Sequence, residues 1–160
     1  MGTVLIAARR LLDRLRHGPR RADEVAALRQ RLLAGLRRHG QEPTLVAVAE
    51  LLRGDRECLA ALLAGSNACR GCASGHPLPA GRYRGGHCCS GSTEDLFDEV
   101  DVVALALAGV APATLRPTTG EQAGCAFRGP AGCSLPVASR PNRCLAYTCR
   151  ELEAELRARG

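Results

Sequence analysis

The sequence predicts a mainly helical protein, in which an N-terminal helical bundle or set of hairpins packs against a cysteine-rich part dominated by loops. Aromatic residues make up 2% of the chain, so Leu, Val and Ala must build the core, and this composition favours helices. Apolar residues recur at helical spacing through much of residues 1–66, whereas cysteine, glycine and proline concentrate later. We therefore expect a helical region over residues 1–66 and a metal-binding domain with two further helices over residues 67–160.

Two amphipathic helices are predicted first. The helix over residues 3–17 has one apolar side and ends before Gly18. The residues of that side are Leu5, Leu12 and Leu15. The second helix covers residues 21–39, and Gly40 is suited to cap its C-terminus. Its apolar stripe consists of Val25, Leu28, Leu32 and Leu36.

Two shorter helices are predicted next. Pro43 is suited to the first turn of a third helix, which we expect to end before Gly54. Asp55 can cap a fourth helix that contains Cys58. Because Cys58 has helical spacing with Leu62, we interpret it as a small core residue and not as a metal ligand.

The chain changes character over residues 67–91, which are rich in Gly, Pro, Cys and Ser and have almost no apolar periodicity. Such a segment buries too little apolar surface to order itself, and residues 110–143 have a similar composition. We therefore expect something other than a hydrophobic core, such as a bound metal, to hold both segments in place.

Two helices are predicted in the second region. Residues 92–95 resemble a capping box, and the helix that follows runs to Gly109. Its apolar stripe consists of Leu96, Val100, Val103 and Leu107. The last helix starts near Cys144, after the turn at Pro141, and continues to about Arg159. It has favourable i,i+4 ion pairs, namely Glu153 with Arg157 and Glu155 with Arg159.

Eight of the nine cysteines are candidate metal ligands. The pair Cys69 and Cys72 has the two-residue spacing that aims both sulfurs at one point. In an extended segment the neighbours Cys88 and Cys89 would point to opposite faces, so we expect them to serve separate sites or separate corners of one assembly, unless a turn gathers both sulfurs. Eight thiolates suffice for two four-cysteine sites, or for one iron–sulfur cluster and a second metal. The full set is Cys69, Cys72, Cys88, Cys89, Cys125, Cys133, Cys144 and Cys149, with His76 and His87 as alternative ligands.

These motifs resemble the YkgJ-type family of zinc- or iron-chelating cysteine-cluster proteins, which includes flagellin lysine methylases. The matching features are Cys69-x2-Cys72, Cys88-Cys89, the helix TEDLFDEVDVVALALAGVAP, Gly-Cys125-x-Phe127, Gly-Cys133-Ser-Leu and Arg140-Pro141-x2-Cys144-x2-Tyr147. They cover residues 67 to about 150. This chain differs from the family's compact first cluster, because 15 residues separate Cys72 from Cys88. The resemblance implies a metal site and leaves the reaction open.

Charge and the N-terminal sequence indicate the location and the partners. The first residues lack the order of charged and apolar segments that a signal peptide has, and no stretch reaches the roughly 20 apolar residues of a membrane span. We expect a cytoplasmic protein without a membrane partner, and a reducing compartment favours metal ligands over disulfides. The net charge is +6, but acids interrupt the arginines, and Tyr83 is an isolated aromatic residue. We therefore expect a protein partner and not nucleic acid.

Three functions fit these observations. The favoured one is a protein that holds an iron–sulfur cluster or a metal ion and does redox or accessory work with a partner enzyme. The first alternative is a structural zinc module that mediates contact with a protein or nucleic acid, and cysteine spacing alone does not separate zinc from iron. The second is a component of an enzyme that modifies protein side chains. The sequence contains no glycine-rich cofactor loop at a strand–helix junction, and it assigns no catalytic residue.

Overall fold

The computed structural model describes residues 21–63, 66, 93–118, 125–129, 132–148 and 150–159, and this part of the chain is mainly helical, as predicted. The helices are α1 (Arg21–His39), α2 (Pro43–Leu63), α3 (Thr93–Leu96), α4 (Glu99–Leu107), α5 (Asn142–Ala146) and α6 (Arg150–Arg159). Turns of 3₁₀ helix occupy Pro112–Thr114 and Val137–Ser139, and a short antiparallel hairpin joins β1 (Arg128–Gly129) to β2 (Gly132–Cys133). The predicted helix over residues 3–17 and the cysteine-rich stretch over residues 67–91 lie outside the described residues.

Helix α1 has the predicted bounds, and three of its four predicted core residues are buried. These are Val25, Leu28 and Leu32. The prediction for Leu36 is wrong, because its side chain is 47% exposed. The fourth buried residue is Gly35, where an added Cβ would lie 3.6 Å from Val103 of α4, so the two helices meet at Gly35. Gly40 follows the helix as expected, and a Cβ there would lie 2.5 Å from the Leu36 carbonyl oxygen.

Helix α2 is continuous from Pro43 to Leu63, so the predicted break at Gly54 is wrong. Apart from Gly54, its chain neighbours and the adjoining helix backbone, no atom of the described residues lies within 4 Å of the place where a Cβ at Gly54 would be. A single exposed glycine costs about 1 kcal/mol in a helix interior, which is too little to end a helix of this length. Cys58 is exposed, so its assignment to the core is also wrong. It lies two residues after the buried Arg56 and therefore on nearly the opposite side of the helix.

The predicted helix after residue 92 is divided into α3 and α4, because Asp98 begins a new helix. The backbone of Asp98 is extended, and its side chain accepts a hydrogen bond from the Asp101 N–H at 2.7 Å. The division changes which residues face the core: Val100 is 69% exposed, contrary to the predicted stripe. Val103 is partly buried and packs against Ala49, Leu107 and Ala108. Leu96 and Leu107 are buried as predicted, together with Val102, Leu105 and Ala106.

The predicted C-terminal helix is likewise divided, since Tyr147 has an extended backbone between α5 and α6. Both predicted ion pairs are confirmed in α6, with nitrogen–oxygen distances of 2.6 Å each. They join Glu153 to Arg157 and Glu155 to Arg159. The turn at Pro141 directly precedes α5, and it places Cys144 in the middle of that helix.

The main core is shared between α1 and the residues that follow position 92. At its centre Phe97 and Phe127 pack edge to face, with ring centroids 5.9 Å apart. Around them lie Val25, Leu28, Leu32, Leu96, Val102, Leu105, Leu115, Ala126 and Leu135. Leu115, Phe127 and Leu135 belong to this core, so the expectation that residues 110–143 lack a hydrophobic core is wrong for the described part of that segment. The core also crosses the predicted boundary at residue 67, and the division into two regions stays a prediction.

Candidate metal centre

Three of the eight predicted ligands lie in the described part of the chain. Cys125 is buried, and Cys133 and Cys144 are partly buried. The other predicted ligands lie outside the described residues, as do both candidate histidines. These are Cys69, Cys72, Cys88, Cys89, Cys149, His76 and His87.

The hairpin brings Cys125 and Cys133 to the same corner of the fold. The carbonyl of Cys125 accepts a hydrogen bond from the Arg128 N–H at 3.0 Å, which closes the turn that leads into β1. Cys133 in β2 pairs with Arg128 in β1. The Ser134 N–H then donates to the Phe127 carbonyl at 2.8 Å, which extends the pairing. Two cysteines that are eight positions apart in sequence are therefore close enough to interact electrostatically.

The surroundings of Cys125 disfavour a thiolate in the absence of a cation. Burial raises the pKa of the Cys125 thiol to about 12, and the neighbouring Cys133 adds to this effect. Three groups act in the opposite direction and favour the thiolate. They are the Phe127 N–H and the Thr93 hydroxyl, which donate hydrogen bonds to the sulfur, and the Arg21 guanidinium. A metal cation would supply the positive charge that the buried sulfur lacks.

Two of these groups come from helix ends that the sequence analysis did not assign to the site. The Thr93 oxygen, at the start of α3, accepts a hydrogen bond from the Ala126 N–H at 3.1 Å. Arg21, at the start of α1, donates to the Arg128 carbonyl at 2.9 Å and to the Thr118 hydroxyl at 3.1 Å. Burial lowers the pKa of Arg21, and the nearby Cys125 raises it. No pattern in the sequence indicated these contacts, because they join residues far apart in the chain.

Cys144 is placed by a different set of contacts, which begin at a buried ion pair. Arg56 donates from Nη2 to Asp101 Oδ1 and to Asn142 Oδ1, at 3.0 Å each. The Asn142 N–H donates to Asp101 Oδ1 at 2.9 Å. This cluster therefore joins α2 and α4 to the first turn of α5, the helix that carries Cys144. The Arg140 Nε, just before this turn, donates to the Leu135 carbonyl at 3.4 Å.

The ion pair is almost completely removed from solvent, since both side chains are 3% exposed. Burial raises the pKa of Asp101, whereas the Asn142 N–H and Arg56 lower it. Burial likewise lowers the pKa of Arg56. Within the described residues, no acceptor lies in reach of the buried Nε and Nη1 of Arg56. The sequence does not reveal this pair, because Arg56 and Asp101 both lie in helices, where a charged residue normally faces water.

The described residues contain no group of three Cys, His, Asp or Glu side chains that could together hold a metal ion. Cys125 and Cys133 thus form one corner of a candidate centre. Cys144, the third predicted ligand in the described part of the chain, does not form a group of three with them. A centre built from this corner requires ligands from the cysteines that lie outside the described residues.

An apolar groove lies on a different surface, between α2 and α4. Its volume is about 270 Å³, and its walls are almost entirely apolar. The lining residues are Leu45, Val48, Ala49, Leu52, Glu99, Val100, Val103, Ala104 and Leu107. The sequence analysis did not predict this groove, because it placed Val100 and Val103 in the core.

Comparison with known proteins identifies no relative: no family model, no curated protein and no solved structure matches this chain. Among the described helices, none has both the length and the apolar character needed to cross a membrane.

Proposed function

We propose that this chain holds an iron–sulfur cluster or a metal ion through its clustered cysteines, and that it does redox or accessory work with a partner protein. The observation that supports the proposal best is that Cys125 and Cys133 lie close enough beside the hairpin to interact electrostatically. Two thiols in one partly enclosed corner are suited to bind a thiophilic metal. The resemblance of the sequence motifs to the YkgJ-type cysteine-cluster family is a second ground for this proposal.

The groups around Cys125 support its role as a ligand. A thiolate ligand is normally oriented by hydrogen-bond donors in its surroundings. Here the Phe127 N–H and the Thr93 hydroxyl donate to the sulfur, and the Arg21 guanidinium carries a positive charge nearby. A cysteine that served only as a small core residue would have no need of these donors.

Several parts of the chain would supply ligands to the metal. Cys125 and Cys133 belong to the hairpin, and we propose that the other ligands are Cys69, Cys72, Cys88, Cys89, Cys144 and Cys149. An iron–sulfur cluster would supply electron transfer, whereas zinc would only hold the ligands together. Two alternatives remain, namely a structural zinc module and a component of an enzyme that modifies protein side chains. Identification of the bound metal and of the partner protein would distinguish them from the proposed function.

The first experiment determines the metal and its dependence on the hairpin cysteines. We expect the protein, purified without oxygen, to contain stoichiometric metal, with iron and acid-labile sulfide if it holds a cluster. Cys125→Ser and Cys133→Ser should each lower the metal content at least about tenfold, because metal binding is coupled to the ligands' geometry and charge. Elemental analysis measures the metal, and visible absorption separates a cluster from zinc.

Cys58→Ser provides the matched control, since Cys58 is an exposed thiol on α2. Its metal content should equal that of the wild type. Circular dichroism shows whether each variant is still folded, and therefore whether a loss of metal is merely the result of unfolding. Full metal content in both Cys125→Ser and Cys133→Ser would contradict the proposed role of the hairpin. A wild-type protein without any metal would contradict the proposed function itself.

A further inference from the structure

The surface around the apolar groove is unusually rich in exposed aliphatic side chains. Of the residues that line the groove, Val100 is 69% exposed and Val48 is 47% exposed. Further large apolar side chains of α2 are exposed beside it, including Leu51 at 71%. Exposed apolar patches of this kind commonly mark a binding surface. The question is which chain segment covers this one.

The charge of the groove favours a basic occupant. Among the residues that line it, Glu99 is the one that carries a charge, and it is exposed. Its contact with Arg31, at 3.4 Å, is too exposed to contribute much stability.

The chain's own N-terminal segment has the complementary character. Residues 3–17 contain four arginines and one aspartate, and their apolar residues repeat at helical spacing. The most apolar part is Thr3 to Ala8, which has the sequence TVLIAA. An amphipathic helix of this kind places one apolar face between basic edges, which fits an apolar groove bordered by Glu99.

The connection to α1 allows this segment to reach the groove. The segment joins the described part of the chain at Arg21, after Gly18 and Pro19, a pair that is typical of a turn. The groove begins beside Arg31, which contacts Glu99, so it starts about 15 Å along α1 from Arg21. A helix over residues 3–17 would be about 22 Å long. If it returned antiparallel to α1, its apolar first turns would lie at the level of the groove.

We propose that residues 3–17 pack as an amphipathic helix into the groove between α2 and α4, with their apolar face inward and an arginine toward Glu99. The chain thereby covers an exposed apolar surface with its own N-terminal segment. This arrangement is independent of the metal centre, because the groove contains none of the cysteines.

Amide hydrogen exchange of the full-length protein, measured by mass spectrometry, tests the proposal. In the wild type we expect the amides of residues 5–17 to exchange at least about tenfold more slowly than those of an unstructured chain. Val48→Arg and Val100→Arg should each abolish this protection, because they place a positive charge and a longer side chain in the groove. Both positions are exposed, so neither substitution is expected to disturb the core.

Leu62→Arg is the matched control, because Leu62 also belongs to α2 and is 66% exposed but does not line the groove. It should leave the protection unchanged. Sedimentation velocity at two concentrations shows whether the species measured is a monomer. Three results would overturn the proposal: no protection in the wild type, protection that survives both groove substitutions, or protection that exists only in a dimer. The last would assign the groove to a second copy of the chain.

Discussion

Helices α1 and α2 are neighbours of similar length, with 19 and 21 residues, but they are attached to the rest of the fold in different ways. Helix α1 has seven charged residues and still buries three large aliphatic side chains. Helix α2 has five charged residues and is the more apolar helix, yet its fully buried residues are Ala49 and Arg56. The positions of apolar residues around a helix axis therefore matter more for their burial than the number of these residues does.

The two helices differ in how their apolar residues are distributed around the axis. In α1 they recur at spacings of three and four, so they form one stripe that faces α4. In α2 they lie on several sides, and the small Ala49 allows the close contact with α4. Val46 and Val103 add partly buried apolar contacts. Polar contacts complete the attachment, since Arg56 binds Asp101 and Arg53 approaches the Ala108 carbonyl at 3.5 Å. Helix α1 is therefore held chiefly by apolar packing, and α2 depends more on a buried ion pair.

The largest effect should come from breaking that ion pair. Asp101→Asn retains the size of the side chain but removes its charge, so Arg56 would remain buried without a counter-ion. We expect the free energy of unfolding to fall by about 3–5 kcal/mol, as is typical when one partner of a buried pair is lost. Urea unfolding followed by circular dichroism measures the change.

The exposed pair of Arg53 and Glu57, 3.9 Å apart on the same helix, provides the control. Glu57→Gln should change the free energy of unfolding by less than about 0.5 kcal/mol, because exposed pairs are well solvated. Equal effects of Asp101→Asn and Glu57→Gln would contradict the view that a buried pair holds α2.

A somewhat smaller effect is expected from truncating one leucine of α1. Leu32 is 1% exposed in the core, so Leu32→Ala should lower the free energy of unfolding by about 2–4 kcal/mol through lost burial and the cavity left behind. The same change at Leu51 of α2, which is 71% exposed, should cost less than about 0.5 kcal/mol. Thermal and urea unfolding of both variants measure the difference. A large loss in Leu51→Ala would show that α2 also depends on its leucines.

The sequence predicted those features of the fold that depend on neighbouring residues. The bounds of α1 and the ion pairs of α6 follow from spacings of three and four, and both are confirmed. The end of the helix at Gly109 is also confirmed, and this residue has a φ of +79°, which favours glycine. Such signals are local, so one sequence is enough to identify them.

Features that join distant parts of the chain were missed. Arg56 and Asp101 are 45 positions apart, and the contact of Thr93 with Ala126 joins residues 33 positions apart. Phe127 was recognised only as part of a motif, although it lies at the centre of the core. The sequence places Cys125 and Cys133 in one predicted ligand set but does not predict that these two lie close together. Tertiary packing determines all of these, and helical periodicity contains no information about it.

The smallest effect, opposite in sign, is expected at Gly54, where the sequence predicted a break and α2 continues. Apart from its chain neighbours and the adjoining helix backbone, a Cβ at this position would contact no atom of the described residues within 4 Å, and Gly54 is not among the described glycines with positive φ. Gly54→Ala should therefore raise the free energy of unfolding by about 0.5–1 kcal/mol, since alanine loses less backbone freedom on folding. Gly40→Ala is the contrasting control, because its Cβ would lie 2.5 Å from the Leu36 carbonyl oxygen and should destabilise the fold. Urea unfolding of both variants decides the matter. Destabilisation by Gly54→Ala would show that α2 is interrupted at this glycine, and the attachment of its second half through Arg56 would then need a different explanation.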